Sequence, residues 1–295
     1  MTYLRAIRQP RLRWIVTAAL LASLAGLTLN QTGAAGAAGS ATTGAATAGA
    51  STSHGGSKPT VVLVHGAWAD SGSWDQVVAD LQRQGYSVVA FPTPLRGLPD
   101  DSAYLAAFLG TISGPIVLVG HSYGGAVITN AATGNPNVKA LVYIDAFIPA
   151  QGETIAQLVG AQPGSCVVGD PTQIFDLVPY PGAPPGAVDA YVKQSLFPSC
   201  FANDLPAKKA AVLAATQRPA STVILGQPSG PPAWAEIPSW ALVGTADHVI
   251  PPTEQLFMAE RAQARIVTVN ASHLPMVSHP GAVTRLIVAA ARSAS

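Results

Sequence analysis

The sequence predicts an α/β protein built on a mostly parallel, doubly wound sheet. Three observations carry that expectation. A continuous β-branched and aliphatic run occurs at residues 60–64, with further strand-like stretches at 115–119 and 138–144; helix-like segments separate them; and a glycine-flanked serine, Gly120-His121-Ser122-Tyr123-Gly124, sits where one strand meets a helix. Unbroken apolar runs are the mark of strands buried on both faces. Strands that alternate with helices pair in parallel, and the helices cover both faces of the sheet.

The elements follow in order. After the strand at 60–64, Trp74, Val77, Val78 and Leu81 recur at helical spacing within 73–84, and Gly85 supplies a stop. A strand at 86–91 and a helix at 102–109 come next. The strand at 115–119 leads into the glycine-rich turn, followed by a helix at 126–132 and a strand at 138–144. Between about 147 and 235 the alternation fails. That stretch is rich in proline, holds both cysteines and has only short helical pieces such as 206–216, so it reads as a cap inserted over the sheet's C-terminal edge. The alternation resumes with a strand at 240–243, a helix at 253–262, a strand at 265–269 and a helix at 282–291.

The N-terminus reads as an export signal over 1–35. Arg5, Arg8, Arg11 and Arg13 precede an uncharged apolar run at 14–29, and small residues follow at Ala34, Ala35, Ala37 and Ala38. The run is 16 residues long, short against the ~20 needed to span a bilayer, which favours a cleaved signal over a retained anchor. Residues 36–57 are almost wholly Gly, Ala, Ser and Thr and read as a flexible linker. The folded domain is therefore expected over 58–295, secreted to an extracellular or periplasmic location and free of the membrane once the signal is removed. Export would let Cys166 and Cys200 form a disulfide; two buried free thiols are the alternative.

Charge excludes one class of partner. Only 11% of residues are charged, and without the four N-terminal arginines 12 basic residues face 15 acidic ones. Neither form carries the basic field that nucleic-acid binding needs. No Cys or His cluster has metal-ligand spacing and no phosphate-binding glycine loop remains once Gly120 to Gly125 is accounted for, so neither metal nor cofactor is expected.

The chemistry centres on Gly120 to Gly124. A Gly-x-Ser-x-Gly turn between a buried strand and a helix is the context of a nucleophile elbow, in which the tight turn lifts the serine above the sheet edge. A serine hydroxyl is a poor nucleophile at neutral pH and needs a base. Of six histidines, His54 lies in the linker, His65 ends the first strand, His121 adjoins the serine and His248 follows a candidate acid. His279 precedes Pro280 and reads as a helix start. His273, in the loop after the last strand, is the expected base. Asp247, just past the strand at 240–243, is the expected acid; Asp145, after the strand at 138–144, is a weaker candidate. The expected donors for an oxyanion are the backbone N–H groups of Tyr123, directly after the serine, and Ala67, in the loop after the first strand.

With these residues in view, the chain from about 59 to 287 resembles bacterial α/β-hydrolases related to plant methyl-ester esterases and hydroxynitrile lyases. The matching segments are Val-Val-Leu-Val-His-Gly-Ala-Trp (61–68), Gly-His-Ser-Tyr-Gly-Gly (120–125), Gly-Thr-Ala-Asp (244–247) with Ile-Pro-Pro (250–252), and Ala-Ser-His (271–273) with Ser-His-Pro (278–280). The resemblance implies the α/β-hydrolase fold with a cap, Ser122, Asp247 and His273 as the triad, and Ala67 and Tyr123 as the oxyanion hole. Hydroxynitrile lyases of this group carry threonine where Gly66 stands and lysine where Leu274 stands, so these departures favour an esterase. The expected activity is cleavage of a small or medium, largely apolar carboxylic ester through an acyl-enzyme. A lyase-like or perhydrolase-like enzyme on the same triad, or a ligand-binding homologue without turnover, are the alternatives. Trp68, Phe147, Phe197 and Trp234 are candidates to line the pocket.

Overall fold

A computed structural model describes residues 58–294. The expected signal at 1–35 and linker at 36–57 lie outside the described residues. The chain runs through β1 (Thr60–Val64), a 3₁₀ turn (Ser71–Trp74), α1 (Asp75–Arg83), β2 (Val88–Phe91), α2 (Leu98–Leu109), β3 (Ile116–His121), α3 (Tyr123–Ala131) and β4 (Val138–Ile144). An inserted segment follows: α4 (Ile155–Val159), α5 (Pro171–Ile174), β5 (Phe175–Val178), β6 (Asp189–Val192), α6 (Phe197–Phe201), α7 (Ala207–Thr216), β7 (Ala220–Ser221), α8 (Val223–Gly226) and a second 3₁₀ turn (Ala233–Ala235). The chain closes with β8 (Ser239–Gly244), α9 (Pro252–Arg261), β9 (Arg265–Val269), α10 (Pro275–Ser278) and α11 (Pro280–Ser293).

Six strands form the main sheet in the order β2-β1-β3-β4-β8-β9, and every neighbouring pair is parallel. β3 is buried at all six positions and β8 likewise, as their unbroken apolar runs require. β9 lies at the sheet edge and is only partly covered. The chain passes from β1 out to β2 and then returns across β1 to β3. Connections therefore leave the C-terminal ends of β1 and β3 in opposite directions, and a crevice opens between them.

Several elements begin earlier than their sequence pattern suggests. α2 starts at Leu98 because Pro99 fits a helix's first turn, where its missing N–H costs nothing, and Asp100 and Asp101 complement the dipole there. α3 starts at Tyr123, so Gly124 and Gly125 belong to a helix rather than to a turn. They are needed for close approach: a Cβ on Gly124 would lie 2.5 Å from the Val64 carbonyl oxygen. The inserted segment also holds a three-stranded antiparallel sheet, β5-β6-β7, that the sequence pattern does not reveal. Its strands have four, four and two residues, too short for a periodic signal.

Cys166 and Cys200 form a disulfide, with α-carbons 5.8 Å apart. Two ion pairs tie the inserted segment to the rest: Arg96 with Asp189 of β6, and Arg261 of α9 with Glu153. Among the described residues no helix is long and apolar enough to cross a membrane.

Candidate active site

Ser122 stands where β3 ends, beside the crevice between β1 and β3. Its backbone is in the left-handed region (φ 50°, ψ −124°), a conformation that costs a non-glycine residue free energy and is held by its surroundings. Those surroundings are tight. A Cβ on Gly120 would lie 2.5 Å from the Gly124 carbonyl oxygen, and one on Gly66 would lie 2.6 Å from the Ser122 Cβ. The turn that raises the hydroxyl thus depends on the glycines around it.

The hydroxyl meets an imidazole from 151 residues further along the chain: His273 Nε2 lies 2.9 Å from Ser122 Oγ. On the other side of the ring, His273 Nδ1 lies 2.7 Å from Asp247 Oδ2. A carboxylate accepts, so Nδ1 carries the proton and Nε2 is left to accept from Ser122. Asp247 is aimed by three further donors: the N–H groups of Val249 (2.7 Å) and Ile250 (3.1 Å) on Oδ1, and the Gln255 amide (2.7 Å) on Oδ2. All three side chains of the row are buried. Gln255 had no signal in the sequence, since a polar residue one turn into a helix is ordinarily exposed.

The other histidines have structural partners. His65 Nε2 accepts the Thr93 N–H at 3.0 Å while Nδ1 donates to the Gly66 carbonyl at 2.9 Å. Burial pulls its pKa down to about 4, so it is neutral. His121 Nε2 donates to the His273 carbonyl at 2.8 Å, which supports the base from the side of the elbow. Burial also lowers the pKa of His121 well below the usual range, followed by the nearby His273. His279 occupies the position just before α11, as its sequence context suggests.

Asp145, the weaker candidate acid, is fully buried near Asp247. Its Oδ1 accepts the Gly244 N–H at 2.5 Å, and its Oδ2 has no hydrogen-bond partner among the described residues. Burial and then the charge of Asp247 push its carboxyl well above the usual range. Asp145, Asp247 and His273 bring ligand-type atoms within 4.8 Å of one another, but the Nδ1–Oδ2 hydrogen bond already occupies that arrangement.

Ala67 and Tyr123 line a cavity of about 210 Å³ that also includes Ser122. Tyr123 is the first residue of α3, so its N–H has no partner within the helix and is available to a ligand oxygen. Its phenol is turned away and donates to Asp101 at 2.8 Å. Trp68, Phe147, Ile155, Val159, Phe175 and Ile224 form much of the wall, and none of the lining residues is charged. Two of the expected aromatics are therefore in the wall and two are not. Phe197 stacks on Phe201 at 4.8 Å outside this cavity, and Trp234 donates its indole N–H to the Pro149 carbonyl.

A sequence pattern described as the alpha/beta hydrolase family matches residues 61–286, from β1 into α11, and so spans every strand of the main sheet. The chain belongs to the α/β hydrolase family. Among relatives of this hydrolase, a carbendazim hydrolyzing esterase from Nocardioides sp. (strain SG-4G) is 35% identical over 114 residues, 33% of this chain and 46% of that one. The chain thus matches about half the length of that relative. A pyrethroid hydrolase from Sphingobium wenxiniae is 29% identical over 236 residues, covering 75% of this hydrolase and 83% of the relative. The crystal structure of a pyrethroid hydrolase from Sphingobium faniae JZ-2 superposes with a TM-score of 0.63 at 25% identity, over 79% of this chain and 97% of that one. These relatives are named for hydrolysis, which supports a carboxylesterase-type enzyme.

Proposed function

We propose that the protein is a secreted serine hydrolase that cleaves small or medium, uncharged, largely apolar carboxylic esters. The observation that carries this reading is the unbroken row Ser122–His273–Asp247 opening on an apolar cavity. In the first step His273 Nε2 takes the Ser122 proton as Oγ bonds to the ester carbonyl carbon. The carbonyl oxygen becomes an oxyanion, held by the N–H groups of Ala67 and Tyr123. The tetrahedral intermediate collapses as protonated His273 gives its proton to the departing alcohol, leaving an acyl-Ser122. Water, deprotonated by His273, then attacks the acyl carbon; the second tetrahedral intermediate collapses as the bond to Ser122 Oγ breaks, His273 returns the proton to Oγ and the carboxylic acid leaves.

Two features support ester cleavage over the lyase alternative. A Cβ at position 66 would press on Ser122, and the residue after His273 is the apolar Leu274, which is buried and offers no cation. Secretion is supported by the pattern of residues 1–35 and by a disulfide, which persists in oxidising compartments.

The test is hydrolysis of p-nitrophenyl esters that differ in acyl size and charge. The reading expects neutral short and medium acyl groups to turn over and anionic ones to fail. It expects Ser122→Ala to lower kcat by about 10⁴-fold or more. Retained turnover in Ser122→Ala would remove the serine from its role.

A further inference from the structure

Asp204 belongs to the inserted segment, three residues past α6, yet it holds the loop that bears the imidazole. Its Oδ2 accepts the Ser272 N–H at 3.0 Å, and its Oδ1 accepts the Ser272 hydroxyl. Ser272 is fully buried and directly precedes His273. The Asp204 side chain is only 18% exposed, and His279 Nδ1 stands 3.7 Å from the same carboxylate. Both oxygens are therefore engaged, and the residue they grip directly precedes the base.

Neighbours of Asp204 reach this loop and the one that bears Asp247. The Phe201 ring meets the His273 ring edge-on at 5.4 Å. The Asn203 amide donates to the Ala246 carbonyl at 3.2 Å, and the Ser199 carbonyl accepts from His248 Nδ1 at 3.1 Å, one contact on each side of Asp247. Cys200 joins Cys166, whose N–H donates to the His248 carbonyl at 2.7 Å. One short stretch of the insertion, 199–204, thus spans the loops of both the imidazole and its carboxylate. From the sheet side, the matching support is His121 on the His273 carbonyl.

We propose that Asp204 is a positioning residue for His273. Acting through Ser272, it fixes the imidazole between Ser122 and Asp247, so that the insertion completes the site as well as covering it. This inference rests on the reading of Ser122 and His273 as the reacting pair. A base must be held to a fraction of an ångström to work, and a misplacement of about 1 Å costs on the order of 10²-fold in rate.

The experiment compares the full-length wild type with Asp204→Ala, Asp204→Asn and Ser272→Ala on one neutral ester, with melting temperature measured for each. Asp204→Ala is expected to lower kcat by about 10–100-fold while KM stays close to wild type. Asp204→Asn keeps an acceptor oxygen and recovers part of the loss; Ser272→Ala keeps the N–H contact and loses less. The rate at which a fluorophosphonate labels Ser122 falls in step with kcat, because both need the same base. A wild-type kcat in folded Asp204→Ala, a loss confined to KM, or a loss equal to the unfolded fraction would overturn the proposal. If Asp204→Ala does not fold, Asp204→Asn and Ser272→Ala decide it by the same criteria. Ser122→Ala is run alongside: hydrolysis there defeats the triad reading itself, whereas a dead Ser122→Ala beside an unimpaired Asp204→Ala defeats only the role of Asp204.

Discussion

The main sheet and the segment inserted between β4 and β8 hold the site by different means. In the sheet, β3 and β8 are buried at every position, so close packing and the parallel ladders fix the strand ends that lead to Ser122 and Asp247. In the insertion, β5 has one buried residue in four, and the packing of residues such as Ile155, Phe197, Phe201 and Ile224 is supplemented by a disulfide, ion pairs and side-chain hydrogen bonds. The sheet supplies the reacting groups on rigid edges. The insertion supplies the wall of the cavity, through Ile155, Val159, Phe175 and Ile224, and the outer ties on the loops of His273 and Asp247. Changes in the first region should therefore strike the chemical step, and changes in the second should strike selectivity, stability and alignment.

The largest expected effect lies in the sheet. Asp247→Asn keeps the shape but lets the amide present its donor to His273, which disturbs the tautomer that leaves Nε2 free. A fall in kcat of about 10⁴-fold is expected, read from steady-state hydrolysis. A change within a few-fold would mean that Asp247 does not orient the imidazole, and would return attention to Asp145.

In the insertion, the corresponding test is Cys166→Ser with Cys200→Ser. The disulfide closes a loop with a sequence separation of 34, so its loss should cost ~2–4 kcal/mol. Denaturant unfolding measures this. Because Val167 and Val168 line the cavity beside Cys166, the pair of substitutions should also relax the preference among acyl groups. Unchanged stability and unchanged preference would show that the insertion is ordered without it.

The smallest effect concerns pH and belongs to the sheet again. His65 is buried and neutral with its pKa lowered to about 4, against 6.5 in the unfolded chain. As pH falls below 6.5, the unfolded state binds a proton that the folded state refuses, so stability is full above that pH and is lost progressively down to about 4. The loss from His65 alone is about 2 kcal/mol by pH 5, and His121 acts in the same direction. Unfolding curves at pH 7 and pH 5 check this; equal stability at the two values would show that the buried imidazoles are not neutral.

The same contrast explains how much of the molecule could be read from its residues. The short β-branched run 60–64, bounded by turn residues, reads as a strand buried on both faces, and 138–144 follows the same pattern apart from the exposed Lys139; β1 and β4 occupy those residues. The glycine-serine turn was legible because its spacing is dictated by close approach, seen in the contacts Gly66, Gly120 and Gly124 would make. Ser122, Asp247 and His273 stood out through their positions just after β3, β8 and β9, and hydrogen bonds join them in a row. The insertion gave no such handle. Its strands are too short for periodicity, and Asp204 is a polar residue whose partner lies 68 residues away. Outside the insertion, Gln255 of α9 was equally illegible, a polar residue whose partner lies eight residues away. Cavity lining was half legible: Trp68 follows β1 and Phe147 follows β4, at the crevice, whereas Phe197 and Trp234 pack elsewhere.

The most direct measurement of the central claim is to treat the protein with a fluorophosphonate and locate the adduct by peptide mass spectrometry. A serine activated by its neighbours should carry the label at Ser122 alone, and His273→Ala should abolish the labelling. An unlabelled protein, an adduct on another serine, or undiminished labelling in His273→Ala would contradict it.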